Sequence, residues 1–420
     1  MANQPQQKIY YHIVILVMVI FFAISFITNI LNSIIIDVKQ SFDLSLSLAG
    51  LLPFSFFIAY GVMSIPAGFL SEKYSDRTLL SVAFGIIILA CAVFTIFPGY
   101  IVFSLSLFFL GCSMAVLQVI INPMLRAAGG EGHFAFNSVL AQLVFGLASF
   151  ASPYLYMYLV NSEENKDVLA EMLRGLVPAE LPWVSLYIVF AILGLVLFLI
   201  VRATRYPEYT KKESERSGDR SSYMSLLKNK WTLLYFLGIF CYVGTEQGIG
   251  NWISGFLQEY HSLDPQTIGA NTVSKFWAML TVGCLLGLFL LKVFDSRKIL
   301  IGSGIATIAC LILAVTSSSE IALLAFPALG FLISVMWSII FSLGLNSVKE
   351  QHGSLSGILC TGIAGGAVMP LLVGFLGDMI NLKIGILFLI VPLLFIVSIG
   401  FWAKPLVNNT TFKLQKKSET

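Results

Sequence analysis

Charge is what this sequence has least of. Of its 420 residues only 11% are Asp, Glu, Lys or Arg, against 57% hydrophobic, whereas soluble domains carry about 25% charged residues. A soluble fold of this size could not cover its surface with so few polar groups. A cytosolic enzyme, a nucleic-acid binder and a disordered chain are thereby excluded, and a polytopic protein with the bilayer as solvent is left. Histidine is also scarce. His12, His133, His261 and His352 are scattered near the ends of apolar segments, so no metal site is expected. The six cysteines all fall inside apolar segments, without C-x-x-C spacing, and read as small packing residues rather than disulfides or ligands. There is no Gly-rich Lys-Ser/Thr phosphate loop, so ATP does not drive this chain directly. No cofactor is expected.

What the sequence has is long apolar runs, such as 13–27 and 384–402. Only helices or a closed barrel satisfy every backbone N–H and C=O inside lipid. A barrel would show alternating segments of about ten residues, so the runs predict an all-α polytopic membrane protein. Twelve spans fit, at about 11–36, 48–69, 79–98, 101–124, 136–160, 183–203, 231–256, 268–291, 299–316, 320–346, 354–379 and 383–403, each near the ~20 residues that cross ~30 Å of hydrocarbon. The first run ends without a small-residue cleavage site and reads as a span, not a signal peptide.

Lys and Arg orient the spans. The N-terminal tail, the loops after even-numbered spans and the C-terminal tail hold 20 of the 25 basic residues, and the opposite loops hold 4. The positive-inside rule places both termini in the cytoplasm; the expected location is the cytoplasmic (inner) membrane. The longest internal polar stretch, rich in Lys, Arg, Ser and Glu, separates six spans from six. The expected organisation is a six-helix bundle over 1–203, a cytoplasmic linker over 204–230, a second bundle over 231–404 and a tail over 405–420.

The halves also repeat. The loop after span two runs Gly68-Phe-Leu-Ser-Glu72-Lys73-Tyr-Ser-Asp76-Arg77. The loop after span eight runs Gly287-Leu-Phe-Leu-Leu-Lys292-Val-Phe-Asp295-Ser-Arg297, with Gly, Lys and Asp displaced by 219 residues. Gly146 and Pro153 in span five have counterparts in Gly366 and Pro370 of span eleven. Parallel half-repeats around a midplane site are a transporter architecture. The Gly-acid-basic-Asp-Arg loop resembles the signature loop of the major facilitator superfamily. That resemblance implies a gating charge network at the cytoplasmic helix ends, made by Gly68, Glu72, Lys73, Asp76, Arg77, Gly287, Asp295 and Arg297.

Further stretches are similar to the fucose permease family of sugar–proton symporters, across nearly the whole chain. They are Leu117-Gln118-Val-Ile-Ile-Asn122-Pro123, Tyr242-Val243-Gly244-Thr-Glu246-Gln247, Phe276-Trp277 with Thr281-Val282-Gly283, Ile340-Phe341-Ser342-Leu343, and Gly365-Gly366-Ala367-Val368-Met369-Pro370. The departures carry information. Where the family usually has a sugar- and proton-binding carboxylate in span one, this chain has Asn32. Where some members have a glutamate in span four, it has Gln118. The family's span-five Gln is kept as Gln142, but its neighbouring Asn and Arg read Phe145 and Asn137.

Sugars are recognised by bidentate hydrogen bonds and an aromatic face. Midspan residues suited to this are Asn32, Gln118, Asn122, Gln142, Glu246, Gln247 and Asn251, with Trp277 as the stacking surface and Trp252 and Trp337 as further candidates. Any one amide could instead be interhelical glue, worth about 0.6–2 kcal/mol. Glu246 is the acid placed deep in a span, roughly 15 Å from its end, and Lys275 is the deep base. Each costs about 2.5–3.5 kcal/mol on insertion scales, so function or pairing is the default reading. Glu246 and Lys275 are the expected coupling residues, with a static ion pair or outward snorkelling of Lys275 as alternatives. The resemblance implies a non-enzymatic, monomeric secondary transporter of a hexose or deoxyhexose, with proton or sodium as coupling ion and the lipid bilayer as its other partner. A facilitator or exporter of another polar solute, and a transporter-like sugar sensor, are the alternatives; a sensor would add a cytoplasmic domain. A membrane transferase would need clustered Asp or His at a membrane-face loop, and none is present.

Overall fold

The computed structural model describes residues 10–129, 134–160, 167–206, 220–345, 347 and 352–404. The apolar runs form helices throughout. Span one is Tyr11–Asn29 continued by Leu31–Ser41, span two Leu46–Lys73, span three Asp76–Ile96, span four Tyr100–Gly129, span five Phe134–Val160 and span six Ser185–Ala203. Span seven is Lys230–Gly250 continued by Ile253–His261, span eight Ala270–Val293 and span nine Ser296–Thr316. Span ten is Ser319–Ile333 with Met336–Leu345, span eleven His352–Thr361 with Gly365–Met379, and span twelve Leu382–Leu387 with Ile390–Trp402. Among the described residues eleven helices are long and apolar enough to cross a membrane. Span seven falls short of that measure because it carries Glu246 and Gln247, and it completes the twelve. Tyr11 and Trp402 lie at one end of the molecule, the near end. Ser41 and Leu46, joined by a short turn, lie at the far end.

Two hydrophobic cores follow the two halves. One draws on spans one to six, the other on spans seven to twelve together with Ile35, Ile36 and Ala49 from the first half. The all-α fold is thus two six-helix bundles, and structural pairs show their repetition. Gly111 of span four sits against the backbone of Phe56 in span two so closely that a Cβ would meet its carbonyl, and Gly330 of span ten sits the same way against Phe276 in span eight. Arg77 donates to the carbonyl of Arg202 at the end of span six. Arg297 donates to the carbonyl of Ala403 at the end of span twelve, at 3.5 Å. In each half, then, the arginine of the second-span loop ties off the sixth helix.

Helix ends are capped where the chain leaves lipid. Ser45 accepts from the Leu48 amide, and Asp295 from the Arg297 amide at 2.8 Å. The Arg297 guanidinium also donates to both Asp295 oxygens, at 3.1 and 2.8 Å. Those side-chain hydrogen bonds hold the Asp295 carboxyl below its usual range. Its stabilising contribution is therefore present above the unfolded-state pKa and lost as pH falls through the folded one. We expect Asp295→Ala to destabilise the folded protein at neutral pH by about 0.5–2 kcal/mol, the worth of an N-cap. Thermal unfolding in detergent should show the difference at pH 7 and little of it at acid pH.

Two outcomes differ from the sequence expectations. Span one runs five residues past position 36, which draws Asp37 into a membrane helix at 6% exposure. Glu246 is therefore not the sole acid within a span. Spans one and seven are also interrupted, at Ile30 and at Asn251–Trp252. These are repeat-equivalent places, and apolar periodicity does not mark them.

Candidate functional site

The two interruptions face each other at the junction of the bundles. A Cβ added to Gly250 of span seven would stand 2.9 Å from Asn32 Nδ2 of span one and 3.8 Å from Cζ2 of Trp277 in span eight. Glycine at 250 thus lets an amide of one bundle and an indole of the other come together. The three groups are buried, and their polar atoms are not used up. Asn32 Nδ2, Trp277 Nε1 and Asn251 Oδ1 have no hydrogen-bond partner. An unpaired buried donor or acceptor costs about 1–3 kcal/mol. Two donors left open where the bundles meet, with an unpaired acceptor on the residue that follows Gly250, can pair with a polar ligand.

Asn251 itself is held by its span: its Nδ2 donates to the Gln247 carbonyl at 2.7 Å. The Gln247 side chain reaches Gly366 of span eleven beside Phe57 of span two, so it too lies where the bundles meet. Glu246 is one turn from Gly250 on the same helical face. It is half-buried and accepts from the Tyr242 hydroxyl at 3.0 Å. Tyr242 lies 6.0 Å from the Trp337 ring, which stacks on Phe341. Trp252 is fully buried and donates to the Pro370 carbonyl at 3.1 Å, a packing role.

The remaining expected residues spread more widely. Gln118 is half-buried, and Gln142 is exposed, one turn from Gly146, which packs against Thr281 of span eight. Gln142 thereby borders the gap between the bundles. The side chains of Asn122 and Glu72 lie outside the described residues. Lys275 is exposed and makes no ion pair with Glu246. It shares a stripe with the exposed Val282, Leu286 and Phe289, an apolar surface along which a long lysine stem can lie. Among the gating-loop residues, Gly68 and Gly287 are buried, Gly287 against Val335 of span ten, Lys73 lies 5.6 Å over the Tyr74 ring, and Asp76 opens span three. The described contacts of Arg77 and Arg297 run within their own halves, not across them.

Four polar residues were not singled out in the sequence. Asn29 donates to Ser149 Oγ at 2.8 Å, and Ser25 donates to the Phe145 carbonyl at 2.6 Å; both join spans one and five as interhelical glue. Asp37 accepts from the Tyr156 hydroxyl of span five and from Gln266 Nε2, at 2.9 Å, ahead of span eight. Asp378 of span eleven accepts from the amides of Leu46 and Ser47 at 2.9 and 2.6 Å. A lone acid at a helix end looks solvated in sequence. The signal that could have found Asp37 is its place one turn beyond Asn32 and Ser33.

The Major Facilitator Superfamily model matches residues 17–362. The chain belongs to the Major Facilitator Superfamily. The chain is 29% identical over 393 residues to a glucose/galactose transporter of Brucella abortus biovar 1 (strain 9-941), covering 91% of each chain. It is 25% identical to the L-fucose-proton symporter of Escherichia coli (strain K12), covering 84% of each. The crystal structure of the E. coli fucose–proton symporter superposes with a TM-score of 0.67 at 21% identity, covering 93% of this chain and 98% of that one. It shares the twelve-helix, two-bundle fold of this multi-pass membrane protein.

Proposed function

We propose that this chain is a secondary transporter, not an enzyme, that carries a hexose or deoxyhexose across the cytoplasmic membrane by alternating access, coupled to a proton. The observation that carries the reading is the junction of Asn32, Gly250 and Trp277, where two unpartnered donors from opposite bundles come together. Such a set pairs with sugar hydroxyls, which both donate and accept, and the Trp277 ring offers a face to the C–H side of a pyranose. The names of the relatives, a glucose/galactose transporter and a fucose–proton symporter, support the substrate class and the ion. Gln118, Asn122, Gln142, Gln247 and Asn251 complete the proposed binding set, and Glu246 is its carboxylate.

Asn32 and Gln118 cannot titrate, so coupling in this chain falls to Glu246 and not to the family's positions in spans one and four. Lys275 is not needed for it. The transporter is proposed to work as a monomer, with the bundles at 1–203 and 231–404 moving about the linker over 204–230. Uptake of radiolabelled hexoses into vesicles, with and without a pH or sodium gradient, tests the reading. Accumulation of one hexose under a pH gradient is expected, and no uptake or competition by any hexose would overturn it. An uncoupled facilitator is the second reading, favoured by the neutral Asn32 and Gln118.

The near end is proposed to face the cytoplasm, on the split of 20 basic residues against 4. A cysteine at Val168, on the exposed helix between spans five and six, should label with an impermeant thiol reagent outside intact cells. One at Lys228 should label only after the membrane is opened. The reverse pattern would invert the orientation.

A further inference from the structure

The far end of the molecule holds two carboxylates, bonded across the bundles, that neither the substrate site nor the coupling scheme uses. Asp37 of span one is buried and accepts from a donor in each half: Tyr156 of span five on its own side, and Gln266 of the turn before span eight on the other. Asp378 of span eleven reaches across to span two. Its two oxygens take the Leu46 and Ser47 amides, and the Ser47 hydroxyl also donates to it. These amides are orphan donors of the first turn of span two. A carboxylate from the second bundle thus caps a helix of the first, where the helix dipole favours negative charge. Around these bonds Ile35, Ile36 and Ala49 of the first half are buried in the second half's core. Gly374 lets span eleven close onto the backbone of Leu46.

We propose that Asp37 and Asp378 are the latches of the outer gate: their bonds across the bundles hold the far end shut, and both must part before the Asn32–Gly250–Trp277 junction opens outward. The inference rests on the transport reading and on the orientation proposed above. The latches are positioning residues, since neither touches the substrate junction. Asp37 supplies a water-excluded link and Asp378 an exposed one, so the first bears most of the closure and the second is open to competition from solvent.

The test uses the full chain with its native cysteines replaced and Ile35→Cys as a reporter, in intact cells and in inside-out vesicles. Ile35 is fully buried behind the latches. An impermeant thiol reagent added outside should label this cysteine slowly in the parent. Labelling should be about tenfold faster or more when Asp37→Ala and Asp378→Ala are combined, as expected when the favoured state of a two-state equilibrium loses its bonds. An unchanged rate in variants that reach the membrane at parental level overturns the proposal. A second variant, Ser47→Cys with Asp378→Cys, keeps Asp37 and puts a disulfide in place of the Asp378 bond. Oxidation should arrest exchange of labelled hexose and a reductant should restore it; full exchange in the cross-linked protein overturns the latch. Labelling of Ile35→Cys requires no substrate, so it separates failure of the latch from failure of the sugar reading. Labelling from the cytoplasmic side alone would instead refute the orientation.

Discussion

Glu246→Gln is expected to reduce gradient-driven sugar accumulation to the equilibrium ratio while leaving exchange running. One pH unit across the membrane carries ~1.4 kcal/mol, about tenfold accumulation for a carrier moving one proton per sugar. That tenfold is what the variant should lose. The argument rests on position. Glu246 is one turn from Gly250, shares its helical face, and has the neutral Tyr242 hydroxyl as partner at 3.0 Å. A glutamine keeps the shape and one acceptor but cannot exchange a proton. Lys275 is exposed and not bound to Glu246, so neutralising the acid strands no buried cation, and the variant should express as the parent does. Accumulation and counterflow measured on the same vesicles decide the case. If Glu246→Gln still accumulates sugar tenfold under one pH unit, Glu246 is not the coupling group. If the parent also fails to respond to a gradient, the facilitator reading holds.

The second large effect is expected at Asn32, with opposite signs for binding and stability. Its Nδ2 is buried without a partner. In the empty transporter that is a cost of about 1–3 kcal/mol, recovered when a ligand oxygen accepts. Asn32→Leu, of similar size, removes the unpaired donor. The empty protein should melt no lower than the parent, because replacing an unsatisfied polar group by an apolar one of the same shape is neutral or stabilising. Sugar affinity should fall by roughly tenfold to a hundredfold, about 1.4–2.8 kcal/mol. Asn32→Gln, which keeps a neutral amide, should retain gradient-driven accumulation wherever binding survives. Thermal unfolding with and without sugar measures both halves of the claim. A variant that melts lower yet binds sugar as the parent does would make Asn32 interhelical glue. Loss of accumulation in Asn32→Gln with exchange intact would return span one to the coupling route.

Legible before any contact is known is the one-dimensional part. Hydropathy along the chain set twelve spans to within a few residues, because lipid thickness and backbone hydrogen bonding leave little choice once an apolar run is long enough. The repeat of Gly, Lys and Asp in the second-span loops anticipated the two bundles. The likeness to sugar permeases pointed to Asn32, Glu246 and Trp277 before any contact was known. Tertiary structure alone decided which polar residues meet. Asn32 and Trp277 are far apart in the chain and join through the absence of a side chain at Gly250. The same folding sets Lys275 on the exposed stripe and leaves Glu246 without a cation. Asp37 and Asp378 read as solvated acids at helix ends, yet each accepts hydrogen bonds from the opposite bundle. Hydropathy records how much of a segment prefers lipid. It does not record which face of a helix meets which partner, since that depends on the crossing of helices distant in sequence.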